Sequence, residues 1–183
     1  MAHADPATRG PRSFKRYHDE VAPMVCAALK ASGIDFAVFL PDSLLYPIER
    51  LLQDDPDIET YQCSREDEGV GIAIGASLAG RKPVVMMEGS GIGLSGLALA
   101  RGILQRNGML LLIAHNSTLG ERYDYHGATR LVAEPILTAL RIPYHVLFDG
   151  AEIPVVIPEA QRTVEGQRTP VAVLFPRHVI RTV

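Results

Sequence analysis

Three consecutive acidic residues, Glu66, Asp67 and Glu68, stand where a helix is predicted to begin. Acids at that position complement the positive end of the helix dipole, and Ser64 with Asp67 resembles a capping box, so one interpretation is purely structural. The other is acid–base catalysis, because the helix that follows is built from apolar and very small residues. A carboxyl group beside such a water-poor surface can exchange a proton at neutral pH.

A second candidate is the glycine-rich segment Gly91-Ile92-Gly93-Leu94-Ser95-Gly96, which matches the G-x-G-x-x-G pattern of dinucleotide-binding domains. We reject that function. The fingerprint belongs to a first βαβ unit and needs an acid at the end of the next strand, whereas that strand here ends in Ile113-Ala114-His115-Asn116. Two interpretations remain: a tight strand-to-helix turn, or glycines that let the backbone approach a ligand or a neighbouring chain closely.

Two histidines are candidates for substrate binding or proton transfer. His115 ends a strongly apolar run, and His126 follows the polar stretch at residues 116–125, which is long enough to be a functional loop. Each is equally consistent with an ordinary surface or hydrogen-bonded histidine. Arg65 and Arg122 are weaker candidates.

The elements that must position these residues alternate along the chain. A continuous apolar run predicts a strand at 36–40, and the same alternation predicts further strands at 58–62, 83–87, 109–114, 144–148 and 171–175. Helices are predicted at 14–31, 44–52, 66–79, 94–106, 131–140 and 159–166. Strictly alternating βα units with buried strands predict an α/β fold, an open parallel sheet flanked by helices on both faces.

Ligands of such sheets bind outside the carboxyl ends of the strands. The unusual residues of the sequence fall in the loops expected there: Pro41-Asp42-Ser43, the acidic segment at 64–69, a glycine loop at 88–93, and His115-Asn116-Ser117. The sequence therefore predicts one site at this edge of the sheet.

The composition of the chain limits its domain count, its classes of binding partner and its cellular compartment. The chain has 183 residues, 47% of them hydrophobic and 21% charged, which predicts one domain at 13–183 behind a flexible tail at 1–12. A net charge of -3 argues against nucleic acid, and the N-terminus has no apolar segment to act as a membrane anchor. Cys26 and Cys63 have neither metal-ligand nor disulfide spacing, which favours the cytoplasm.

One segment carries a family resemblance. Residues 64–76, followed by Leu78-Ala79-Gly80-Arg81-Lys82-Pro83, closely resemble the pyrimidine-binding domain of sulfopyruvate and phosphonopyruvate decarboxylases. Further matching segments fall in the same order: Leu40-Pro41-Asp42-Ser43, Gly89-Ser90-Gly91-Ile92-Gly93, Ile113-Ala114-His115, Ile142-Pro143-Tyr144 and Pro170-Val171-Ala172-Val173-Leu174.

The resemblance implies one half of a thiamine diphosphate-dependent decarboxylase that converts a small 2-oxo acid to an aldehyde and carbon dioxide. The length is similar to that of a stand-alone alpha subunit, whose beta partner would hold the diphosphate and Mg²⁺. A homodimer or hetero-oligomer is expected, with an apolar patch exposed around residues 69–76 and 90–94.

The resemblance also implies roles for individual residues. The glutamate that activates the cofactor precedes a helix glycine by nine residues in this superfamily, and Glu66 has that relation to Gly75, whereas Glu68 does not. His115 and His126 are further catalytic candidates. The residues expected at the cofactor are Pro41, Asp42, Ser43, Glu66, Ser90, Gly91, Ile92, Gly93 and Leu94, and none is expected to bind metal.

Four positions depart from the family. Leu94 replaces a common Asn, Asn116-Ser117 replaces Arg-Gly, and Glu88 stands where an amide is commoner. Loss of the arginine weakens the case for a sulfonate or phosphonate, so only the 2-oxo acid class is predicted. The alternatives are a carboligating enzyme, a non-catalytic regulatory copy of the domain, and a stand-alone nucleotide-binding domain.

Overall fold

The computed structural model describes residues 17–182, and the predicted tail at 1–12 lies outside them. Six parallel strands form one sheet in the order β2-β1-β3-β4-β6-β5. The predicted parallel α/β fold is therefore confirmed. The elements are β1 (Phe36–Phe39), β2 (Glu59–Gln62), β3 (Pro83–Glu88), β4 (Met109–His115), β5 (Tyr144–Val146) and β6 (Pro170–Pro176), with α1 (Val21–Ala31), α2 (Tyr46–Gln53), α3 (Glu66–Leu78), α4 (Ser90–Leu104), α5 (Gly127–Ala139), α6 (Ile153–Gln167) and α7 (Arg177–Ile180).

Helices cover both faces of the sheet. The side chains of each strand alternate between the two faces, so each strand contributes apolar residues to both cores. On β3, Val84 and Met86 join the core beneath α1, α2 and α6, whereas Val85 and Met87 join the core beneath α3, α4 and α5. Both sets are fully buried, which explains why the central strands read as continuous apolar runs.

Residues 90–93 of the segment predicted as a glycine loop are helical. Helix α4 begins at Ser90, four residues before its predicted start. The glycines serve close packing: a Cβ at Gly89 would lie 2.4 Å from Cγ2 of Thr129, and one at Gly93 would lie 3.3 Å from Val132. The first turn of α4 is therefore pressed against α5, and the tight-turn interpretation is wrong for residues 90–93.

Other helix boundaries also differ from the sequence-based prediction: α2 begins at Tyr46 rather than residue 44, and α5 begins at Gly127 rather than residue 131. Helix α1 begins at Val21 rather than residue 14; just before it, the His18 N–H donates to the carbonyl of Ile180 at 2.9 Å, which ties that segment to the C-terminal end. Helix α6 begins at Ile153, six residues early, because Pro154 lies in the first turn, where its missing N–H is tolerated. Helix α7 was not predicted.

The strand order places four of the carboxyl ends side by side. The ends of β2, β1, β3 and β4 are adjacent in that order, so the acidic segment, the Pro41-Asp42-Ser43 loop, Glu88 and His115 follow one another along a single edge of the sheet. Within residues 17–182, no helix has the length and apolar character needed to cross a membrane.

Candidate functional site

The three acids at the start of α3 have different surroundings. Asp67 pairs with Arg65, with Oδ1 3.0 Å from Nε, and Glu68 Oε2 accepts a hydrogen bond from the Ser64 N–H at 2.8 Å. The predicted capping box is therefore absent: no side chain caps the N-cap residue Arg65, and Glu68 instead holds the N–H of the residue before it. The Glu66 side chain is half-buried and makes no hydrogen bond or ion pair with any residue between 17 and 182. Of the three acids at the start of α3, only Glu66 has a carboxyl group with neither oxygen engaged, so it is the one most available to a ligand.

Gly91 holds the Glu66 side chain in place. A Cβ at Gly91 would lie 2.4 Å from Cγ and 2.9 Å from Cδ of Glu66, both far inside van der Waals contact. The backbone of the first turn of α4 therefore forms one wall against the glutamate side chain, and this wall exists only because residue 91 is glycine. The acidic segment and the glycine segment, which the sequence offered as separate candidates, meet at this contact.

Glu88 ties the middle of the site together. Its Oε2 accepts from the Ser90 N–H at 2.6 Å, and its Oε1 accepts from Asn116 Nδ2 at 3.2 Å and from the Thr129 hydroxyl. These donors belong to α4, to the loop after β4 and to α5. The two unusual residues Glu88 and Asn116 thus pair with each other and fix the start of α4, on which Gly91 lies.

The Pro41-Asp42-Ser43 loop is stabilised by carboxyl groups rather than left open. Asp42 Oδ1 accepts from the N–H groups of Leu44 and Leu45 at 2.7 and 3.1 Å, and Glu49 Oε1 accepts from the Asp42 N–H at 3.0 Å. Burial raises the pKa of Glu49 to about 8, and burial and the nearby Glu88 carboxylate raise that of Asp42. Both acids can therefore hold a proton more readily than an exposed carboxyl.

His115 has one ring nitrogen occupied and one free. Its Nε2 lies 3.2 Å from Oε1 of Glu134, and its buried Nδ1 has no hydrogen-bond partner among residues 17–182. Burial lowers the pKa of His115, with the Glu134 and Glu88 carboxylates opposing that effect, so the neutral ring is favoured. In the neutral ring Nε2 carries the hydrogen that faces Glu134, which leaves Nδ1 as a bare acceptor.

His126 lies apart from this arrangement. Its Nδ1 is 2.8 Å from Oε2 of Glu121, and its ring makes edge contacts with Tyr123 and Tyr125. Burial raises the pKa of Glu121, but the backbone N–H groups of Tyr123 and Arg122 and the histidine together bring it down to about 2. The hydrogen-bonding, ionic and ring contacts of His126 thus lie within its own loop, consistent with a structural histidine.

The remaining predicted cofactor residues differ in exposure. Pro41, Ser43, Ser90, Gly93 and Leu94 are exposed, whereas Ile92 is fully buried in the core. Any contact of Ile92 with a ligand must therefore use its backbone.

Three residues of the site were not singled out from the sequence: Thr129, Glu134 and Glu49. Thr129 and Glu134 lie on α5, far along the chain from the partners Glu88 and His115 that they contact, so no local pattern reveals them. Glu49 had a detectable signal, because it lies four residues after Leu45 and three before Leu52, on the apolar side of α2.

The outer surface of α3 and α4 exposes several leucines and glycines, with Arg101 exposed between Leu97 and Leu104 on α4. We call it the open face; on α4 its exposed leucines recur at spacings of three and seven residues, and on α3 a Cβ at Gly71 or Gly75 would meet nothing within 4 Å. It comprises Gly71, Gly75, Leu78, Leu94, Leu97 and Leu104. Such spacing on one side of a helix is typical of a helix that packs against another chain.

Comparison with known proteins gives two findings. Residues 19–130 match the family described as "Thiamine pyrophosphate enzyme, N-terminal TPP binding domain". The chain is 30% identical to the sulfopyruvate decarboxylase subunit alpha of Methanococcus maripaludis over 82% of this chain and 91% of that protein, and 33% identical to the protein of the same name from Methanocaldococcus jannaschii over 81% and 88%. A third, from Methanothermobacter thermautotrophicus, is 33% identical over 70% and 78%.

Proposed function

Because the chain belongs to the thiamine pyrophosphate enzyme family, as an N-terminal TPP binding domain related to sulfopyruvate decarboxylase alpha subunits, we propose that it is the alpha half of a thiamine diphosphate-dependent decarboxylase of a small 2-oxo acid. The observation that carries this proposal is the Glu66 carboxyl. It is the one acid of its cluster that is not engaged in a hydrogen bond or ion pair within residues 17–182, and Gly91 holds it at the carboxyl edge of the sheet.

The residues at this edge fit the pyrimidine ring of the cofactor. Glu66 would hydrogen-bond a ring nitrogen, and the closely approached backbone at Gly91 would leave room for a flat ring beside that carboxyl. When bound, the cofactor supplies the electron sink for loss of carbon dioxide. This chain's part is to hold a proton at Glu66, to orient the ring and to keep water away. Pro41, Asp42, Ser43 and residues 90–94 are the proposed surroundings.

His115 and the Glu88–Asn116 pair are the proposed substrate side of the site. The free Nδ1 of His115 can accept a hydrogen bond or a proton from the substrate, while Glu134 fixes the orientation of the ring. The Glu88 carboxylate makes the surroundings negative, which does not suit a second anionic group on the substrate. A 2-oxo acid with an uncharged side chain fits these groups better than a sulfonate or phosphonate does.

We assign the diphosphate and Mg²⁺ to a beta subunit, and the open face to contact with a neighbouring chain. Within residues 17–182, no group of three His, Cys, Asp or Glu side chains could hold a metal ion, and the similar proteins are named as alpha subunits. The apolar side of α3 and α4 supplies the contact surface. The free cysteines Cys26 and Cys63 support a location in the reducing cytoplasm.

Reconstitution tests the proposal. The purified chain with thiamine diphosphate, Mg²⁺ and a series of 2-oxo acids should release no carbon dioxide alone, and should release it with the corresponding aldehyde when the beta subunit is added. Turnover by the chain alone would contradict the split site. Formation of a condensed hydroxyketone in place of the aldehyde would indicate carboligation, and an inactive mixture that still binds the cofactor would indicate a regulatory copy.

A further inference from the structure

The carbonyl oxygen of Ser43, in the loop after β1, is held by two side chains from opposite ends of the described chain. The Tyr17 hydroxyl donates to it at 2.6 Å, and Arg181 Nη2 donates both to it and, at 2.9 Å, to the Tyr17 hydroxyl. These three hydrogen bonds form a closed triangle in which both lone pairs of the carbonyl are used. We call Tyr17 and Arg181 the Ser43 clamp.

Contacts outside the loop fix the two members of the Ser43 clamp. The His18 N–H donates to the Ile180 carbonyl at 2.9 Å, so the chain neighbours of the two clamp residues are hydrogen-bonded to each other. Ile180 and the preceding Val179 are buried in the core. The Arg181 guanidinium also lies over the Tyr17 ring, with Cζ 4.9 Å from the ring centroid. The clamp is therefore preorganised by contacts that do not involve the loop it holds.

The Ser43 clamp also acts on Asp42, the acid of the same loop. Burial raises the pKa of Asp42 and the Glu88 carboxylate adds to that effect, whereas the N–H groups from which Asp42 accepts and the Arg181 cation oppose it. Asp42 Oδ1 accepts from the N–H groups of Leu44 and Leu45, and an ionised carboxyl is the stronger acceptor. Loss of the Arg181 cation should therefore weaken these loop hydrogen bonds as well as its own contact with the loop.

We propose that Tyr17 and Arg181 are positioning residues, which hold the Pro41-Asp42-Ser43 loop in the shape that receives the cofactor. The role rests on the proposed function, in which this loop surrounds the cofactor. Pro41 and Ser43 are both exposed, so the clamp fixes the backbone of the loop and leaves these residues accessible to a ligand. Neither clamp residue needs to touch the cofactor.

A positioning role predicts how cofactor affinity and turnover respond when the clamp is removed. If only a fraction of the chains hold the loop in its binding shape, the apparent Kd of the cofactor rises in inverse proportion to that fraction. Once the cofactor is bound the loop is ordered again, so kcat at saturating cofactor changes much less. A merely structural role would instead lower the melting temperature and the amount of active enzyme, and would leave the Kd of that enzyme unchanged.

Arg177 supplies a matched control for Arg181. It is the first residue of α7, four positions before Arg181, and is half-buried like it. Its side chain makes no ion pair or hydrogen bond with any residue the structure describes. Replacing either arginine by Gln removes one positive charge from the same short segment, and of the two changes only Arg181→Gln removes a contact with the loop.

Hydrogen exchange of the unliganded full chain, followed amide by amide by NMR, tests the clamp without the cofactor. In Arg181→Gln, the amides of Asp42 and Leu44 should exchange at least about tenfold faster than in wild type. Tyr17→Phe keeps the ring and loses the hydroxyl, so it should accelerate exchange by a smaller factor. Arg177→Gln should match wild type. The amides of the buried central strand β4 should be affected far less in every variant, which separates loop opening from general destabilisation.

Calorimetric titration of the reconstituted enzyme with thiamine diphosphate, in the presence of Mg²⁺, tests the role toward the cofactor. In Arg181→Gln the Kd should rise by about three- to tenfold, and kcat at saturating cofactor should fall by no more than about twofold. Arg177→Gln should match wild type in both.

Two results would overturn the proposal. Wild-type exchange at Asp42 and Leu44 in Arg181→Gln would show that the clamp does not hold the loop, and faster exchange with an unchanged Kd would show that the shape of the loop does not serve the cofactor. A wild-type enzyme that binds no thiamine diphosphate would overturn the proposed function and the role that rests on it, whereas the exchange rates of the chain alone would still show whether the clamp holds the loop.

Discussion

The two helical layers of the domain differ in how much apolar surface they leave exposed. Among the described residues of α1, α2 and α6, the large apolar side chains that are exposed are Leu51 and Val155. The layer of α3, α4 and α5 instead exposes Leu78, Leu94, Leu97, Leu104 and Leu131, and it carries Glu66. The first layer has nearly completed its burial within the chain, whereas the second leaves apolar surface exposed that we propose a partner covers. Changes in the first layer should therefore affect stability, and changes in the second should affect chemistry and assembly.

Among the changes proposed for the two layers, Glu66→Gln should have the largest effect, and it should act on cofactor activation. Gln keeps the size and hydrogen bonding of the side chain but cannot share a carboxyl proton, so activation of the cofactor should slow by roughly a hundred- to ten-thousand-fold. Unfolding should be nearly unchanged. The measurement is hydrogen–deuterium exchange at the thiazolium carbon in the reconstituted enzyme, beside thermal unfolding of the chain.

Glu68→Gln is the matched control for Glu66→Gln. Two positions apart on a helix, the side chains point about 200° apart, so both cannot reach the same ring nitrogen. Gln can still accept from the Ser64 N–H, so this contact remains and exchange should match wild type. If Glu66→Gln exchanges at the wild-type rate, or Glu68→Gln alone is slow, the catalytic carboxyl has been assigned to the wrong residue.

The contrast between layers explains what the sequence could and could not predict. The central strands were identified because burial on both faces leaves a continuous apolar run, as at Val84 to Met87. Glu66 was predicted because the family resemblance implies a glutamate nine residues before a helix glycine, here Gly75. The contact of Gly91 with Glu66, and those of Glu134 with His115 and Thr129 with Glu88, join residues distant along the chain. Glycine in a first helical turn also resembles a loop until the neighbouring helices are known.

Glu49→Gln should have the next largest effect, and on stability rather than chemistry. Burial raises the pKa of Glu49 from its ordinary 4.5 to about 8, so proton binding favours the folded state. The stability this gives is full below about pH 4.5 and is lost as the pH rises toward 8. The Gln variant lacks this dependence, so wild type should lose a few kcal/mol relative to it over that window.

Urea unfolding of wild type and Glu49→Gln across this pH range measures the difference. Gln keeps an acceptor for the Asp42 N–H, so the loop should be retained. Parallel pH profiles for the two proteins would show that Glu49 does not titrate in this window.

Gly91→Ala should disturb the wall beside Glu66. The added methyl group would lie 2.4 Å from Glu66 Cγ, so the glutamate must shift by on the order of 1 Å, and cofactor activation should fall by up to about a hundredfold. Gly96→Ala, in the same helix with nothing within 4 Å, should instead stabilise the chain by up to about 1 kcal/mol and leave activation unchanged. Equal activation of both alanine variants would mean that the Gly91 contact does not position the carboxyl.

Leu97→Lys should have the smallest effect and tests assembly directly. Leu97 is 68% exposed on α4 within the open face, and Leu51 is 41% exposed on α2 in the opposite layer. Burying a leucine against a partner contributes about 1.5–3 kcal/mol, so Leu97→Lys should weaken association by about tenfold or more, whereas Leu51→Lys should not. Lysine is a good helix former and both side chains already contact solvent, so the melting temperatures of the isolated chains should change little. Sedimentation equilibrium of the chain, alone and with its beta partner, gives the association constants. Equal weakening by the two lysine variants, or a wild-type chain that stays monomeric with and without the partner, would remove the distinction between the two layers as surfaces for assembly.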